Sequence, residues 1–489
     1  MPVKDQSTYQ LTRFCFQRAL AFIYLIAFVI LVNQFRPLLG ENGLLPVPLL
    51  VKRITFLDSP SLFWFHYSDR LASILAWSGV VLSSIALSGF SEKFGMWISS
   101  LVWFLLWVIY LSFVNVGQVF YGFGWESILL ETGFLAIFLG SSDTPPPKVV
   151  FWLLRWVLFR VMFGAGLIKL RGDACWRDLT CMVYHYETQP VPNPLSWYFH
   201  WLPTFWHKAE ILFTHFVELV IPWGFFAPGV VGYFAGGMTI LFQIILILSG
   251  NLSWLNYMTI ILCIPCFDDA CLSKILGRLK MPRAKPAGNL RKGILISLTG
   301  MIALLSIPPA VNLFSPNQMM NASFNPLHLV NTYGAFGSVT RTRMEVILEG
   351  TDDEKLTGNT GWREYEFKCK PGNVRRAPCL MSPYHYRLDW QIWFAAMSSF
   401  RYHPWILNLS AKLLEGDPQT LSLLAYNPFP EKPPKYIRAS LYAYHFTDSK
   451  EMKKTGNWWR RTYEREYLPP LSLDNPRFTD ILRQFGWRD

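Results

Sequence analysis

The sequence predicts a polytopic α-helical membrane protein of about nine transmembrane helices, followed by a C-terminal extramembrane α+β domain rich in strands. Three observations predict it. Of 489 residues, 52% are hydrophobic and 16% aromatic, only 16% are charged, and the mean hydropathy is +0.23. Apolar runs long enough for a bilayer recur up to about residue 313, and from Phe314 charge rises and turn residues multiply. Soluble domains carry about 25% charged residues, so the bilayer is the solvent for most of this chain. The net charge of +12 comes with no basic face, finger or stacking motif, which excludes nucleic acid as a partner.

A window of about 20 residues, the length of a spanning helix, marks segments 14–35, 70–89, 96–116, 125–140, 149–170, 208–228, 230–249, 252–267 and 291–313. The first has the basic flank of a signal peptide, but its apolar run is long and no small-residue cleavage site follows, so it is an anchor. Segment 125–140 is short and could be re-entrant or tilted. Gly250-Asn251 splits the run from Val230 to Phe267 into two passes.

Orientation follows the cations. Lys274, Arg278, Lys280, Arg283, Lys285, Arg291 and Lys292 form the densest basic loop, which reads as cytoplasmic. Counting back places the N-terminus, with Lys4, Arg13 and Arg18, in the cytoplasm as well. Loops 36–70 and 171–207 and the region 314–489 then face the lumen or exterior, which divides the chain into a membrane domain, 1–313, and a lumenal domain, 314–489.

Cys175 and Cys181 in loop 171–207, and Cys369 and Cys379 beyond it, could form disulfides on that oxidising side; chance spacing is the alternative. Cys263, Cys266 and Cys271 superficially suggest metal spacing, but no His is near and packing explains them. Asn-x-Ser sequons stand at Asn251, Asn321 and Asn408. Asn251 sits in a turn too tight and too near the membrane, which leaves Asn321 and Asn408 as glycosylation candidates. In the C-terminal domain Met344-Glu-Val-Ile-Leu and Glu364-Tyr-Glu-Phe-Lys-Cys read as strands, and Asp389–Arg401 and Trp405–Glu415 as helices.

Longer runs resemble a known family. GQVFYGFGWESILLETGFL from Gly117, the stretch from Arg155 through HYETQP at His185, SGNLSWLN from Ser249, NTYGAFGS from Asn331, CKPG from Cys369 and SPYHYRLDW from Ser382 resemble the lipase maturation factors, more closely the first vertebrate member than the second. The resemblance covers nearly the whole chain. It implies a multi-pass protein of the endoplasmic reticulum membrane that acts as a chaperone-like factor, helping secreted dimeric lipases fold, assemble and mature. It also implies a lumenal C-terminal domain that meets the client; the partners are then those lipases and membrane lipid, with no cofactor. The long polar N-terminal extension expected of a vertebrate form does not precede the first helix here, which leaves a bacterial or invertebrate host, and in bacteria the inner membrane, open. The chain ends in GWRD with no KDEL-type retention signal.

No nucleophile elbow, P-loop, dinucleotide fingerprint or HExxH helix occurs, so no catalytic residue is assigned. A faint resemblance to the vitamin K-dependent carboxylase keeps an integral membrane enzyme, acting on lipid or a lumenal chain, as the alternative. A transporter would need paired broken helices or an inverted repeat, and neither is evident. His185 with Glu187, and His215 with Glu218 on one helix face, are the nearest catalytic-looking pairs; a structural hydrogen-bonded contact explains the latter. Aromatic residues dominate interface hot spots, and Trp362, Tyr384, Tyr386, Trp390, Trp393 and Phe394 around the second Cys pair are the client-binding candidates, the domain's own core being the competing role.

Charges inside the apolar stretches need partners. Segments 125–140 and 149–170 are joined by a short turn and should form an antiparallel hairpin. Reflecting Glu131 through the turn near residue 144 lands close to residue 158, half a turn from Arg160, which predicts an intramembrane Glu131–Arg160 ion pair. Glu126 and Lys169 then fall nearer the lumenal surface, where Lys169 could snorkel.

Overall fold

The computed structural model describes residues 9–277 and 288–488. Lys4, Arg278, Lys280, Arg283 and Lys285 of the charge pattern lie outside the described residues. The apolar segments form helices α1 (Gln10–Leu39), α2 (Asp69–Ser88), α3 (Met96–Asn115), α4 (Gly124–Ala136), α5 (Lys148–Arg171), α6 (Thr204–His215), α7 (Val230–Ser249), α8 (Leu255–Cys263) and α9 (Asn289–Leu305). Two run on: α6 to Phe226 through a π turn and a 3-10 turn, and α9 to Phe314 through a second helical piece. Among the described residues seven helices are then long and apolar enough to cross a membrane. The other two, α4 with 13 residues and α8 continued to Cys266, are shorter. Both are largely buried, so protein rather than lipid surrounds their ends, where backbone groups find partners.

The helices begin and stop for local reasons. Ser68 caps α2 by accepting from the Leu71 N–H, and Gly89 at φ 74° ends it in the left-handed conformation. The first turn of α1 is capped from 259 residues away: the Asp269 carboxylate accepts from the N–H groups of Gln10, Leu11 and Thr12 at 2.8, 2.8 and 3.1 Å. A carboxylate there also meets the positive end of the helix dipole.

The bundle has two ends. At one, Arg13 donates to the Thr144 carbonyl, Arg18 pairs with Glu92, Thr12 donates to Phe267 and Arg291 to Leu139. At the other, Gln34 donates to the His385 carbonyl, Asn115 to Pro326 and Arg387 to Phe120. Each of the nine helical segments runs between these ends, in alternating direction. Cysteines divide the same way. Cys175–Cys181 and Cys369–Cys379 are disulfide-bonded at the second end, with Cα atoms 4.8 and 5.5 Å apart. Cys15, Cys263, Cys266 and Cys271 at the first end are free thiols.

The C-terminal region sits on the second end. Its strands are β1 (Arg343–Thr351), β2 (Arg363–Glu364), β3 (Glu366–Phe367), β4 (Leu424–Tyr426), β5 (Tyr436–Phe446) and β6 (Trp459–Leu471). An antiparallel sheet runs in the order β2-β1-β5-β6, and β3 pairs with β4. The run from Glu364 expected as one strand is broken into β2 and β3. Eight of the nine β1 positions are buried, so its Glu345 and Glu349 need partners, which Arg343, Lys370, Arg438 and Ser440 supply. Strand β6 carries Arg460, Arg461, Glu464 and Arg465 along an edge, where charge discourages pairing with another chain. The helix expected at Asp389–Arg401 is α10 (Arg387–Ala396), with a separate 3-10 turn at Phe400–Tyr402; α11 (Trp405–Glu415) has the expected bounds and ends at Gly416 at φ 66°.

The sequon at Asn408 requires correction as a glycosylation site. Its side chain is 3% exposed, and its Nδ2 donates to the carbonyls of Gly43 and Leu44 at 3.2 and 2.9 Å. A glycan would use one of those hydrogens and has no room. Asn251 is fully buried as well, its Oδ1 accepting from Met381 and Ser382 and its Nδ2 donating to Cys379. Asn321 is exposed. We expect Asn408→Gln to leave any glycosidase-sensitive gel shift of the expressed protein unchanged; a loss of shift in that variant would contradict the packing described.

Candidate functional site

The hairpin of α4 and α5 brings Glu131 and Arg160 together in a two-pronged ion pair, each side chain about 1% exposed. The pair is not alone. Glu131 Oε2 also accepts from the Asn331 N–H at 3.2 Å, the Asn331 Nδ2 at 3.0 Å and the Tyr333 hydroxyl at 2.7 Å, while Arg160 donates to the Asn331 carbonyl at 2.6 Å. A buried charge pair is tolerable when its remaining donors and acceptors are filled, and here the NTYGAFGS run fills them. Two glycines let that run lie against α5. A Cβ on Gly164 would stand 2.5 Å from the Tyr333 carbonyl oxygen, and one on Gly172 2.2 Å from that of Gly337. Further along, the Arg341 guanidinium on Asp173 holds that carboxyl down to about 2, helped by the N–H groups of Cys175 and Val339.

A second charge cluster grips the HYETQP run. Arg343 on β1 donates to the carbonyls of Glu187, Gln189 and Pro190, and is balanced by Glu345, which also takes Lys370 at 2.7 Å. The Glu187 carboxylate accepts from His445 Nδ1 and the Phe446 N–H, both at 3.0 Å. A third cluster joins Glu126 of α4 to Arg387 of α10 at 2.8 Å; the Tyr110 hydroxyl donates to the same carboxylate, and the guanidinium lies 3.5 Å from the Tyr121 ring centre. Glu126 stands in the first turn of α4, at the end of the bundle that meets the C-terminal region, and is fully buried there.

The fourth pair corrects two expectations. Lys169 does not snorkel: it is buried and holds both Glu218 oxygens, at 2.6 and 2.8 Å. No hydrogen bond joins His215 to Glu218 among the described residues, and the His215 Nε2 lies 3.1 Å from the Trp176 carbonyl. The cause is the π turn Phe216–Val220, which contains Glu218; the wider turn breaks the regular i, i+3 relation, and such turns recur at functional sites.

Between these clusters lies a cavity of about 440 Å³. The sequence runs meet on its wall: Gly122–Trp125, His185 with Thr188–Pro190, Leu252 and Leu255, Gly334–Thr340, and Trp390 with Trp393, Phe394 and Met397. A smaller space of about 80 Å³ shares His185, Leu252, Leu255 and Gly334–Phe336 with it and continues toward Lys169 and Glu218. Burial pushes the His185 imidazole down to about 4, with the Lys169 charge adding to the effect, so the ring is neutral. His385 stands behind the wall among Phe123, Trp125 and Trp390, and burial drives its imidazole well below the ordinary range.

The aromatic candidates separate. Trp390 is 4% exposed and belongs to the core between α10 and the bundle, so it is withdrawn as a client contact. Trp393 is half-buried and donates to Thr188, Tyr384 accepts from Asn33 and Gln34, and Tyr386 packs on Tyr384. Trp362 lies far along the sheet under Arg438, 4.1 Å from its ring centre. Phe394 is exposed at the cavity. Arg343, Lys370 and Arg387 were not singled out from the sequence; the available signal was a cation directly before or inside an apolar run.

Two family models match, the lipase maturation factor transmembrane domain over residues 11–274 and the lipase maturation factor C-terminal domain over 329–469. The chain belongs to the lipase maturation factor family. Mouse Lipase maturation factor 1 is 45% identical over 96% of this chain and 88% of its own length, and the human protein of that name 43% over 98% and 91%. Lipase maturation factor 2 of Xenopus laevis is 32% identical over 98% and 85%. This member of the family is thus nearer to factor 1 than to factor 2. No solved structure matches.

Removing one partner of a buried pair costs about 3–5 kcal/mol because the other charge is stranded. We expect Glu131→Gln or Arg160→Gln to lower the thermal unfolding midpoint of the detergent-purified protein and its yield, and Tyr333→Phe to do so by less. Unchanged stability in both charge variants would show that the pair does not hold the hairpin.

Proposed function

We propose that this multi-pass membrane protein is a lipase maturation factor of the endoplasmic reticulum, with the bundle as anchor and residues 314–489 as a lumenal domain that binds immature secreted lipases without covalent chemistry. The lipase client is taken from the names of its relatives, and dimeric lipases are the clients whose assembly it would assist. One observation supports the orientation above all. Both disulfides lie at the end of the bundle that carries the C-terminal region, and the four free thiols lie at the other. Disulfides persist in the lumen and thiols in the cytosol, so the C-terminal region faces the lumen and the N-terminus the cytoplasm. Arg13, Arg18, Lys274 and Lys292 at the thiol end agree with the bias of cations toward the cytoplasm.

On this reading the client meets the exposed parts of the lumenal end. Trp362, Tyr384, Tyr386, Trp393 and Phe394 retain exposed or half-exposed surface there, and Asn321 is the sequon open to a glycan. The charge clusters hold this surface in shape and take no part in a reaction.

Co-expression with a dimeric lipase in cells lacking their own factor should restore the specific activity of secreted enzyme; no rescue by well-expressed protein would end the lipase reading. In sealed microsomes an impermeant maleimide should label Cys15 or Cys271 from the cytosolic side only. Labelling that requires opening the vesicles would reverse the orientation.

A further inference from the structure

The cavity at the seam is half open to the surface, and its volume of about 440 Å³ falls in the range of about 300–1,000 Å³ typical of small-molecule sites. Its walls are mostly apolar, with Phe123, Trp125, Leu252, Phe336, Trp390 and Phe394 prominent.

His185 is 7% exposed and lines both spaces, and no hydrogen bond joins either ring nitrogen to another described residue; the rings of Tyr186 and Phe336 pack against it. The indole N–H groups of Trp125 and Trp390, residues of the same wall, are buried with no hydrogen-bond partner among the described residues, and buried polar groups are nearly always satisfied. Three polar side chains nearby are engaged: Thr188 donates to Tyr184, Gln189 to Ser249, and Asn256 to Gln243. Lys169 and Glu218 neutralise one another, so no unpaired charge lines the two spaces among the described residues. A neutral imidazole offers one donor and one acceptor, which suits a hydroxyl or ester and not an ionised head group.

The surroundings indicate how an occupant enters. Met320, Phe394 and Met397 at the cavity are exposed. Met320 lies six residues beyond Phe314, where a helical stretch long and apolar enough to cross a membrane ends with Ile307, Val311 and Phe314 exposed. The cavity thus adjoins the bilayer surface.

We propose that this cavity binds a neutral single-chain lipid of the monoacylglycerol class, its acyl chain among Phe336, Trp390 and Phe394 and its hydroxyl or ester hydrogen-bonded to His185. The size of the space argues for one chain and against a two-chain phospholipid. This site goes beyond the client-binding reading and does not depend on it.

The test uses the full chain in phosphatidylcholine nanodiscs and a monoacylglycerol carrying a diazirine in its acyl chain. Saturable photolabelling is expected on peptides containing Phe336, Trp390 or Phe394, competed by 1-oleoylglycerol at lower concentration than by oleate or lysophosphatidylcholine. His185→Leu should weaken competition by about tenfold, the worth of one hydrogen bond; His185→Gln, which keeps a donor and an acceptor, should stay near the parent protein. Non-saturable labelling, labelling confined to outward-facing helix surfaces, or equal competition by oleate in the unmutated protein would overturn the proposal. Displacement by an apolar peptide but not by 1-oleoylglycerol would also overturn it, assigning the cavity to a polypeptide segment.

Discussion

Everything at the seam depends on how a buried carboxylate finds its partners within the helix bundle. Glu131 is about 1% exposed, and one arginine does not saturate its two oxygens. The backbone and side chains of Asn331 and Tyr333 complete the shell, so the charge is neutralised by α5 and hydrogen-bonded by a segment 200 residues away in sequence. That requirement draws residues 331–337 against the bundle, and Gly164 within α5 and Gly172 just after it make the close approach sterically possible. Residues 331–337, which follow the change of composition at residue 314, thus pack directly against the membrane helices.

The other clusters repeat this logic at different depths. Arg343 uses its guanidinium to collect three carbonyls of one loop, a geometry lysine lacks, and Arg387 ties α10 to α4 through Glu126. These two clusters join the bundle, or a loop at its second end, to the C-terminal region. Apolar packing alone would permit these layers to slide. Directional hydrogen bonds between buried charges set one alignment, and the cavity wall is assembled from the pieces so aligned.

Helix positions were legible in the sequence because the bilayer imposes a length and a composition that few other structures share. The Glu131–Arg160 contact was legible as well, since a short turn leaves little freedom in how two helices face each other. Asn331 and Tyr333 were not, because nothing local in NTYGAFGS distinguishes a buried carboxylate's donors from turn residues. Lys169 and Glu218 misled for a different reason: the spacing of His215 and Glu218 presumes a regular helix, and the π turn is invisible to periodicity. Strands β5 and β6 escaped notice because one is buried on both faces and the other is a charged edge, so neither alternates cleanly. Trp390 looked like an interface residue because a domain seam and a client surface draw on the same aromatic side chains.

The sharing of Glu131 between distant segments has a temporal side. Arg160 follows Glu131 by 29 residues in the chain, whereas the three donors that complete its shell follow it by about 200. In order of synthesis the countercharge of Glu131 therefore precedes its hydrogen-bond donors by about 170 residues, and only the complete chain holds the full set of partners for this carboxylate.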